Sequence, residues 1–296
     1  MSPSRTLATA LACACACAFA RANEPDPRAA PVDAYPDVAA AYWVELDGRA
    51  LWAGHADARL PMASLAKLMT ALVAVESGRL DAWADVSAGA AAETGTRIGL
   101  RLGEHVKRGD LLRATLVRSA NDACRVLADA IGTSIDPRRP TAAFVARMNA
   151  HAKALGLSDT HYANPCGHDD PAQYTSVRDL AALSHAVLAD ATLAGIAQQR
   201  EVAFATAAGR WLSARTTNAL LDNLPGARGL KTGTTPAAGR CLVAVVERDG
   251  HRVLAVLLHA PERWWDGVGL VELAFEVPAA SVESIEAVRR DVSGQR

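Results

Sequence analysis

The sequence predicts an α+β fold, a mixed α/β architecture in which one antiparallel sheet is built from the N- and C-terminal segments, flanked by helices, with a helical subdomain inserted between them. Three observations lead there. Apolar runs joined by Asp-Gly turns stand near both ends of the ordered chain, AAYWVELDG with RALWAG, and GRCLVAVVE with HRVLAVLLHA. The residues between them carry apolar positions at helical spacing. The two C-terminal runs are near-continuous rather than alternating, which marks a hairpin buried on both faces.

Taken in order, residues 39–54 form the first hairpin around Asp47-Gly48, and order is expected to begin at Ala39. A helix entered at Ser64 follows, with Leu65, Leu68, Met69, Leu72 and Val73 on one stripe and Gly78 as its stop. GDLLRATLVRS places Leu111, Leu112, Thr115 and Leu116 on one side of a second helix. A break at Ser119 to Asn121 leads into DACRVLADAIG, with Gly132 read as the stop. Pro140 and Thr141 open a helix whose Phe144, Met148 and Leu155 share a face. Ser176-Val177-Arg178-Asp179 reads as a capping box before Leu180, Leu183 and Val187. GLKTGTT and the two buried strands come next, and a closing helix spans about Trp264 to Phe275.

The bulk numbers exclude several classes. The chain has 296 residues, 50% hydrophobic and 21% charged, enough for one large core or two moderate ones. Residues 1–22 read as a secretory signal: a basic start at Arg5, an apolar stretch of 15 residues from Thr6 to Ala20, and the small-x-small ending Ala20-Arg21-Ala22. Ala12-Cys13 leaves open the alternative of a lipoprotein signal. Cleavage after Ala22 removes Arg5 and Arg21, so 31 basic residues become 29 against 32 acidic ones, a formal charge of −3 that argues against a nucleic-acid partner. Residues 23–38 read as a flexible leader, 39–277 as the working domain and 278–296 as a short tail, too polar for an amphipathic anchor. No transmembrane anchor is expected in the mature chain, which is read as secreted across the inner membrane to the periplasm or cell envelope. Cys124, Cys166 and Cys241 survive the cleavage, and three cysteines allow at most one internal disulfide. Whether any pair forms is open at this stage, and Cys124 by itself reads as core. The eight histidines show no paired ligand spacing, so no metal and no other cofactor is expected.

Only four of the basic residues are lysine: Lys67, Lys107, Lys153 and Lys231. Arginine cannot give up its proton under protein conditions and lysine can, so lysine at a special position invites a chemical reading. Ser64 and Lys67, in S-x-x-K, share a helix face. A buried lysine with a lowered pKa can take the proton of a serine hydroxyl, although the pair alone also reads as a lysine snorkelling off an amphipathic helix. Ser119-Ala120-Asn121 offers a hydroxyl for proton transfer and a carboxamide for a substrate amide, or simply a helix cap. Lys231-Thr232-Gly233 offers a cation and a hydroxyl suited to a carboxylate beside a glycine that admits a close approach, or a solvated strand edge. Lys231 would also be the second cation that lowers the pKa of Lys67.

The order S-x-x-K, S-x-N, K-T-G in one chain is far more specific than any one piece. With the blocks PMASLAKLMTALVA, GTRIGLRLGE, LLRATLVRSANDA, FVARMNAHAKALGL, YTSVRDLAAL, TNALL and GLKTGTTPAAGRCLVAVV, the sequence resembles the low-molecular-mass penicillin-binding proteins of the D-alanyl-D-alanine carboxypeptidase family, from about Ala39 to Phe275. The resemblance implies a β-lactamase/transpeptidase-like fold. It implies attack by Ser64 on the carbonyl between the two D-alanines of a peptidoglycan stem peptide, release of D-alanine, and hydrolysis of the acyl-enzyme. Lys67 would be the general base, Ser119 the proton relay and Asn121 an amide contact. Lys231 and Thr232 would hold the substrate carboxylate, with Arg263 as a second charge. Gly233 leaves room beside them, and the N–H groups of Ser64 and Thr234 would form the oxyanion hole. β-Lactam antibiotics would acylate the same serine.

The chain departs from the family pattern at Asn164-Pro165-Cys166-Gly167-His168-Asp169-Asp170, where relatives usually have histidine or serine for Cys166 and leucine for His168. Local packing and substrate preference are therefore open there. An endopeptidase cutting peptidoglycan cross-links, and a peptidoglycan-binding homologue without turnover, remain alternatives. A β-lactamase is disfavoured because no convincing E-x-x-x-N deacylation motif precedes K-T-G. Trp264-Trp265 reads as the packing start of the last helix rather than a sugar platform.

Overall fold

The computed structural model describes residue 33 and residues 35–277. The expected signal segment, the tail and most of the leader lie outside the described residues. The chain is placed before Ala39, contrary to expectation: the Tyr35 ring lies against Gly269, at the distance where any Cβ on that glycine would touch it.

Strands β1 (Ala41–Leu46) and β2 (Arg49–Gly54) pair antiparallel around Asp47 and Gly48, both at positive φ (51° and 79°). This is the turn whose twist matches a hairpin, and Asp-Gly is among the few pairs that adopt it cheaply. A 3₁₀ turn, Ala63–Ala66, then runs directly into α1 (Lys67–Glu76). The stripe expected on this helix is buried, but Thr70, Ala71 and Ala74 are buried too. A helix enclosed on every side sits in the middle of the molecule rather than on its surface.

The inserted region begins with β3 (Trp83–Asp85), α2 (Ala88–Ala91) and β4 (His105–Lys107), followed by α3 (Arg108–Arg113), which continues as a π-helical turn over Ala114–Arg118. Beyond the break come α4 (Asn121–Thr133) and α5 (Pro140–Ala154). Gly132 is not a stop, since α4 continues to Thr133. A Cβ on it would stand 1.9 Å from the Pro140 carbonyl oxygen, so the glycine is there to let α5 start against α4. Phe144 and Met148 are fully buried as expected, whereas Leu155 falls past the end of α5 and is exposed.

Helix α6 (Val177–Ala189) is capped by the Ser176 hydroxyl, which accepts from the Asp179 N–H at 3.1 Å. The reciprocal half of the capping box is redirected: Asp179 accepts from the Asp159 N–H and the Thr160 hydroxyl, tying the helix to the chain before it. After α7 (Ala191–Ala197), residues 201–215 form a hairpin that the apolar pattern did not single out, β5 (Glu201–Ala205) with β6 (Trp211–Arg215). A short α8 (Leu220–Asn223) precedes the long strands β7 (Ala227–Thr235), β8 (Gly239–Arg248) and β9 (His251–Leu258), and α9 (Arg263–Glu276) closes the described chain.

The sheet order is β2-β1-β9-β8-β7, antiparallel throughout, so the N-terminal hairpin lies directly against the last strand. The near-continuous apolar runs are explained by two covered faces. Val243, Val245, Leu254, Val256 and Leu258 join the main core, while the alternating Leu242, Ala244, Ala255 and Leu257 are equally buried on the other face, where Leu242 meets Gly267 of α9. Among the described residues no single helix is long and apolar enough to cross a membrane.

Gly132→Ala tests the α4–α5 approach. Helix propensity favours alanine by about 1 kcal/mol, but the clash is with backbone and cannot be relieved by a rotamer change. A net loss of roughly 2 kcal/mol is expected, read as a fall in Tm of about 4–8 °C. An unchanged or raised Tm would show that the helices can separate freely.

Candidate active site

Lys67 is completely buried at the first position of α1, among Leu65, Leu68 and Met69, all equally inaccessible. Its Nζ has three oxygen neighbours. It lies 2.8 Å from Ser64 Oγ, 2.8 Å from Asn121 Oδ1, and within hydrogen-bond reach of the Cys166 carbonyl. The 3₁₀ turn sets Ser64 and Lys67 one above the other, as expected from S-x-x-K. Burial, and then the nearby Lys231 cation, hold the Lys67 pKa well below the ordinary lysine value, opposed only in part by the Glu93 carboxylate. The snorkelling alternative is therefore excluded.

These partners fix the orientation of a neutral lysine here. A neutral amine has two hydrogens and one lone pair. The Asn121 Oδ1 and the Cys166 carbonyl can only accept, so they take the two hydrogens, and the lone pair is left facing the Ser64 hydroxyl.

The second serine and second lysine form a parallel pair. Lys231 of β7 is buried, and its Nζ donates to Ser119 Oγ at 2.9 Å and to the Thr232 carbonyl at 2.8 Å. Burial, with Arg263 as the nearby cation, lowers its pKa to about 7. Ser119 ends the π-helical turn in the left-handed region, at φ 61°. Ala63, just before Ser64, is also left-handed, at φ 48°. Each such non-glycine position costs about 1–3 kcal/mol; one precedes Ser64 and the other is Ser119 itself, the two serines that face the buried lysines.

Gly233 has a more immediate reason than ligand access. A Cβ there would stand 2.8 Å from Ala63 Cβ and 2.9 Å from the Ser64 amide nitrogen, so only glycine lets β7 pass this close to the S-x-x-K turn. The Thr232 hydroxyl pairs with that of Thr217 at 3.0 Å. Thr234 Oγ1 lies 2.8 Å from Arg263 Nη1, which also donates to the Gly233 carbonyl at 2.6 Å and the Cys241 carbonyl at 3.2 Å. Arg263 thus stands at the end of β7 beside Thr234, and its Nε is buried without a partner.

Asn121 is fixed on every side: its N–H donates to the Thr96 carbonyl and its Nδ2 to the Thr94 carbonyl, leaving one amide hydrogen to offer. Asp122 is not the N-cap of α4, although its carboxylate accepts from the Ala123 N–H of the first turn at 2.9 Å. Its carboxylate also accepts from the N–H groups of Ile98, Gly99 and Leu100, folding the GTRIGLRLGE segment over the helix start.

The departing segment 164–170 proves to be a wall of the site. The Asn164 side chain accepts from the N–H groups of Cys166, Gly167 and His168, and the Thr70 hydroxyl donates to the Pro165 carbonyl at 2.6 Å. Gly167, at φ 85°, lies so near the Ala63 carbonyl that a Cβ would come within 2.0 Å. Cys166 forms a disulfide with Cys124, with Cα atoms 5.9 Å apart, and Cys241 remains a free buried thiol. His168 pairs with Glu93 at 2.9 Å, and Arg125 lies on the other carboxylate oxygen at 3.4 Å. Burial alone would raise the Glu93 pKa, but the His168 hydrogen bond and the two neighbouring positive groups bring it below the ordinary value. Asp169 accepts from the Thr235 hydroxyl and the Ala237 N–H, joining this wall to the β7–β8 turn. Beside Ala63, a cavity of about 250 Å³ is lined by Met62, His168, Asp169, Asp170 and Ala237.

All nine residues singled out in the sequence therefore converge. Those that were missed act through backbone or through loops: the Cys166 carbonyl, Thr217, Asp122, Asn164 and Glu93. All but Glu93 lay in segments already noticed, TNALL, LLRATLVRSANDA and the departing segment 164–170, but none had been given these contacts. Among the described residues no group of three or more histidine, cysteine or acidic side chains is placed to hold a metal ion.

Comparison with known proteins agrees with this geometry. Residues 29–262 match the family model described as D-alanyl-D-alanine carboxypeptidase, peptidase S11. The D-alanyl-D-alanine carboxypeptidase DacC of Escherichia coli is 33% identical over 244 residues, covering 76% of this chain and 58% of its own length. The DacB2 carboxypeptidase of Mycobacterium tuberculosis is 31% identical over 264 residues, covering 84% of this chain and 87% of its own. In three dimensions the DD-transpeptidase of Streptomyces K15 superposes with a TM-score of 0.76 at 27% identity, over 81% of this chain and 97% of that one. The chain thus spans about three fifths of the length of some curated relatives and most of the length of others. With the motif order, the sheet and the matched span in agreement, this chain belongs to the D-alanyl-D-alanine carboxypeptidase family of serine peptidases.

Proposed function

We propose that the chain is a serine D-alanyl-D-alanine carboxypeptidase that removes the terminal D-alanine from peptidoglycan stem pentapeptides in the periplasm or cell envelope, and that β-lactams acylate it as substrate mimics. The observation that carries this reading is the buried Lys67 amine facing Ser64 Oγ at 2.8 Å, with its other two partners limited to accepting. That arrangement supports proton removal from Ser64 as the hydroxyl attacks the peptide carbonyl.

The remaining roles follow the positions. Ser119 Oγ accepts from Lys231, so its own hydrogen is free to pass to the leaving D-alanine nitrogen. Lys231, Thr232, Thr234 and Arg263 line the end of β7, where the substrate carboxylate would be held, and Asn121 offers its remaining amide hydrogen to the peptide. The N–H groups of Ser64 and Thr234 would receive the oxyanion; losing one such donor typically costs about 3 kcal/mol of barrier. Water then hydrolyses the ester. Cleavage of cross-links uses the same acylation and differs only in the leaving group, so release of D-alanine from pentapeptide against cleavage of cross-linked dimers distinguishes the two.

The first test is intact mass after brief exposure to penicillin. The wild type is expected to gain one drug mass and Ser64→Ala none, and Ser64→Ala should release no D-alanine from pentapeptide. An adduct that survives Ser64→Ala would remove the serine from its role. Lys67→Arg should lose acylation by at least about a hundredfold, because a guanidinium fits the charge but cannot accept the proton.

Lys231 also predicts a stability profile. Its folded pKa of about 7 lies below its unfolded value, so between about pH 7 and 10.5 the unfolded chain binds more protons than the folded one, and stability rises with pH. Urea unfolding across that range should show the wild type gaining up to about 1.4 kcal/mol per pH unit more than Lys231→Met. Parallel profiles would mean that Lys231 is charged and unperturbed in the fold.

A further inference from the structure

The two acceptors that dispose the Lys67 hydrogens come from different parts of the chain. Asn121 opens α4, and the Cys166 carbonyl belongs to the loop 164–170. Nothing in helix geometry fixes the distance between them. The Cys124–Cys166 disulfide does, joining the first turn of α4 to the same Cys166 whose carbonyl faces the lysine. Both half-cystines are buried, Cys124 at 0% and Cys166 at 2% exposure, so the bond lies inside the wall rather than on its surface. Without it the loop end is held beside Lys67 by the Asn164 turn, the Thr70 hydroxyl and the His168–Glu93 pair, all of which exchange with water more readily than a covalent bond.

We propose that the Cys124–Cys166 disulfide is a positioning element for Lys67, which fixes the spacing of the Asn121 and Cys166 acceptors so that Ser64 is acylated at full rate only in the oxidised protein. The proposal rests on the catalytic reading of Ser64 and Lys67 above. Forming the bond converts two thiols to one disulfide with loss of two protons and two electrons, which a disulfide-exchange partner takes up as it is reduced to its dithiol. A dithiol reductant reverses the step, its own sulfurs closing into a disulfide.

The charged groups around Lys67 set the readout. They are Lys231 from β7, with Arg263 behind it, and Glu93 after α2, with His168 and Arg125 on its carboxylate. Opening the disulfide removes none of these charged groups. What changes is the exclusion of water at the loop end, which is the main influence on the lysine's proton affinity. A loosened wall hydrates the ammonium form, and the acidic limb of acylation moves to higher pH.

The experiment compares wild type, Cys124→Ala/Cys166→Ala and wild type reduced with dithiothreitol, then reoxidised. The second-order rate of Ser64 acylation by penicillin is read by intact mass from pH 5 to 10, beside the Tm of each form. Alkylation of unreduced, denatured wild type should label Cys241 and leave Cys124 and Cys166 unlabelled. Acylation at neutral pH should fall about tenfold in the reduced and double-alanine forms, with the acidic limb raised by about one pH unit, and reoxidation should restore the wild-type profile. Labelled Cys124 and Cys166, an unmoved limb, or a rate loss uniform across pH that follows Tm alone would each overturn the proposal. A wild type that gains no Ser64-dependent adduct in either redox state would instead overturn the catalytic reading, and the proposal with it.

Discussion

The structure depends on keeping an amine out of water. Lys67 is placed at the first turn of a helix that is buried on every side, and a buried lysine is tolerated only if it is neutral or fully partnered. Here it is close to both conditions. Its three oxygen partners come from its own turn, from the start of α4 and from the 164–170 loop, so the inserted helices and that loop must both be in place before the amine is satisfied. The left-handed Ala63 and Ser119, the glycines at 167 and 233, and the Asp169 link to the β7–β8 turn all serve that enclosure.

Much of this was legible in the sequence because the relevant signals are local. Asp47-Gly48 and Asp249-Gly250 announce hairpins by needing positive φ at both positions, and both pairs have it. The three short motifs are recognisable as residue types in order, and all three reach the site. Lysine scarcity drew attention to four positions, and two of them, Lys67 and Lys231, are buried beside the two serines.

What was not legible depends on distance in three dimensions. The Cys166 carbonyl carries no residue signature, because every residue has one. The pairing of Cys124 with Cys166 could not be chosen from three cysteines without knowing which loop returns to α4. Gly132 looked like a helix end because glycine commonly ends helices, and the competing reason, a second helix passing at contact distance, exists only once α5 is placed. The β5–β6 hairpin was hidden by alternation too weak to separate from loop, since its outward positions include Trp211, which is largely exposed.

The sheet order also governs when the site comes into being. β1 pairs with β9, setting Ala41 opposite Leu258, and β9 alone joins the N-terminal hairpin to β8 and β7. Contacts so distant along the chain make closure slow, because the loop entropy is lost before the paired strands return anything. A chain that carries Ser64 and Lys67 but lacks β7 to β9 has neither Lys231 nor the β7 backbone that passes against Ser64 at Gly233. The Ser119–Lys231 pair joins residues 112 apart in the chain, and one of the last strands completes it.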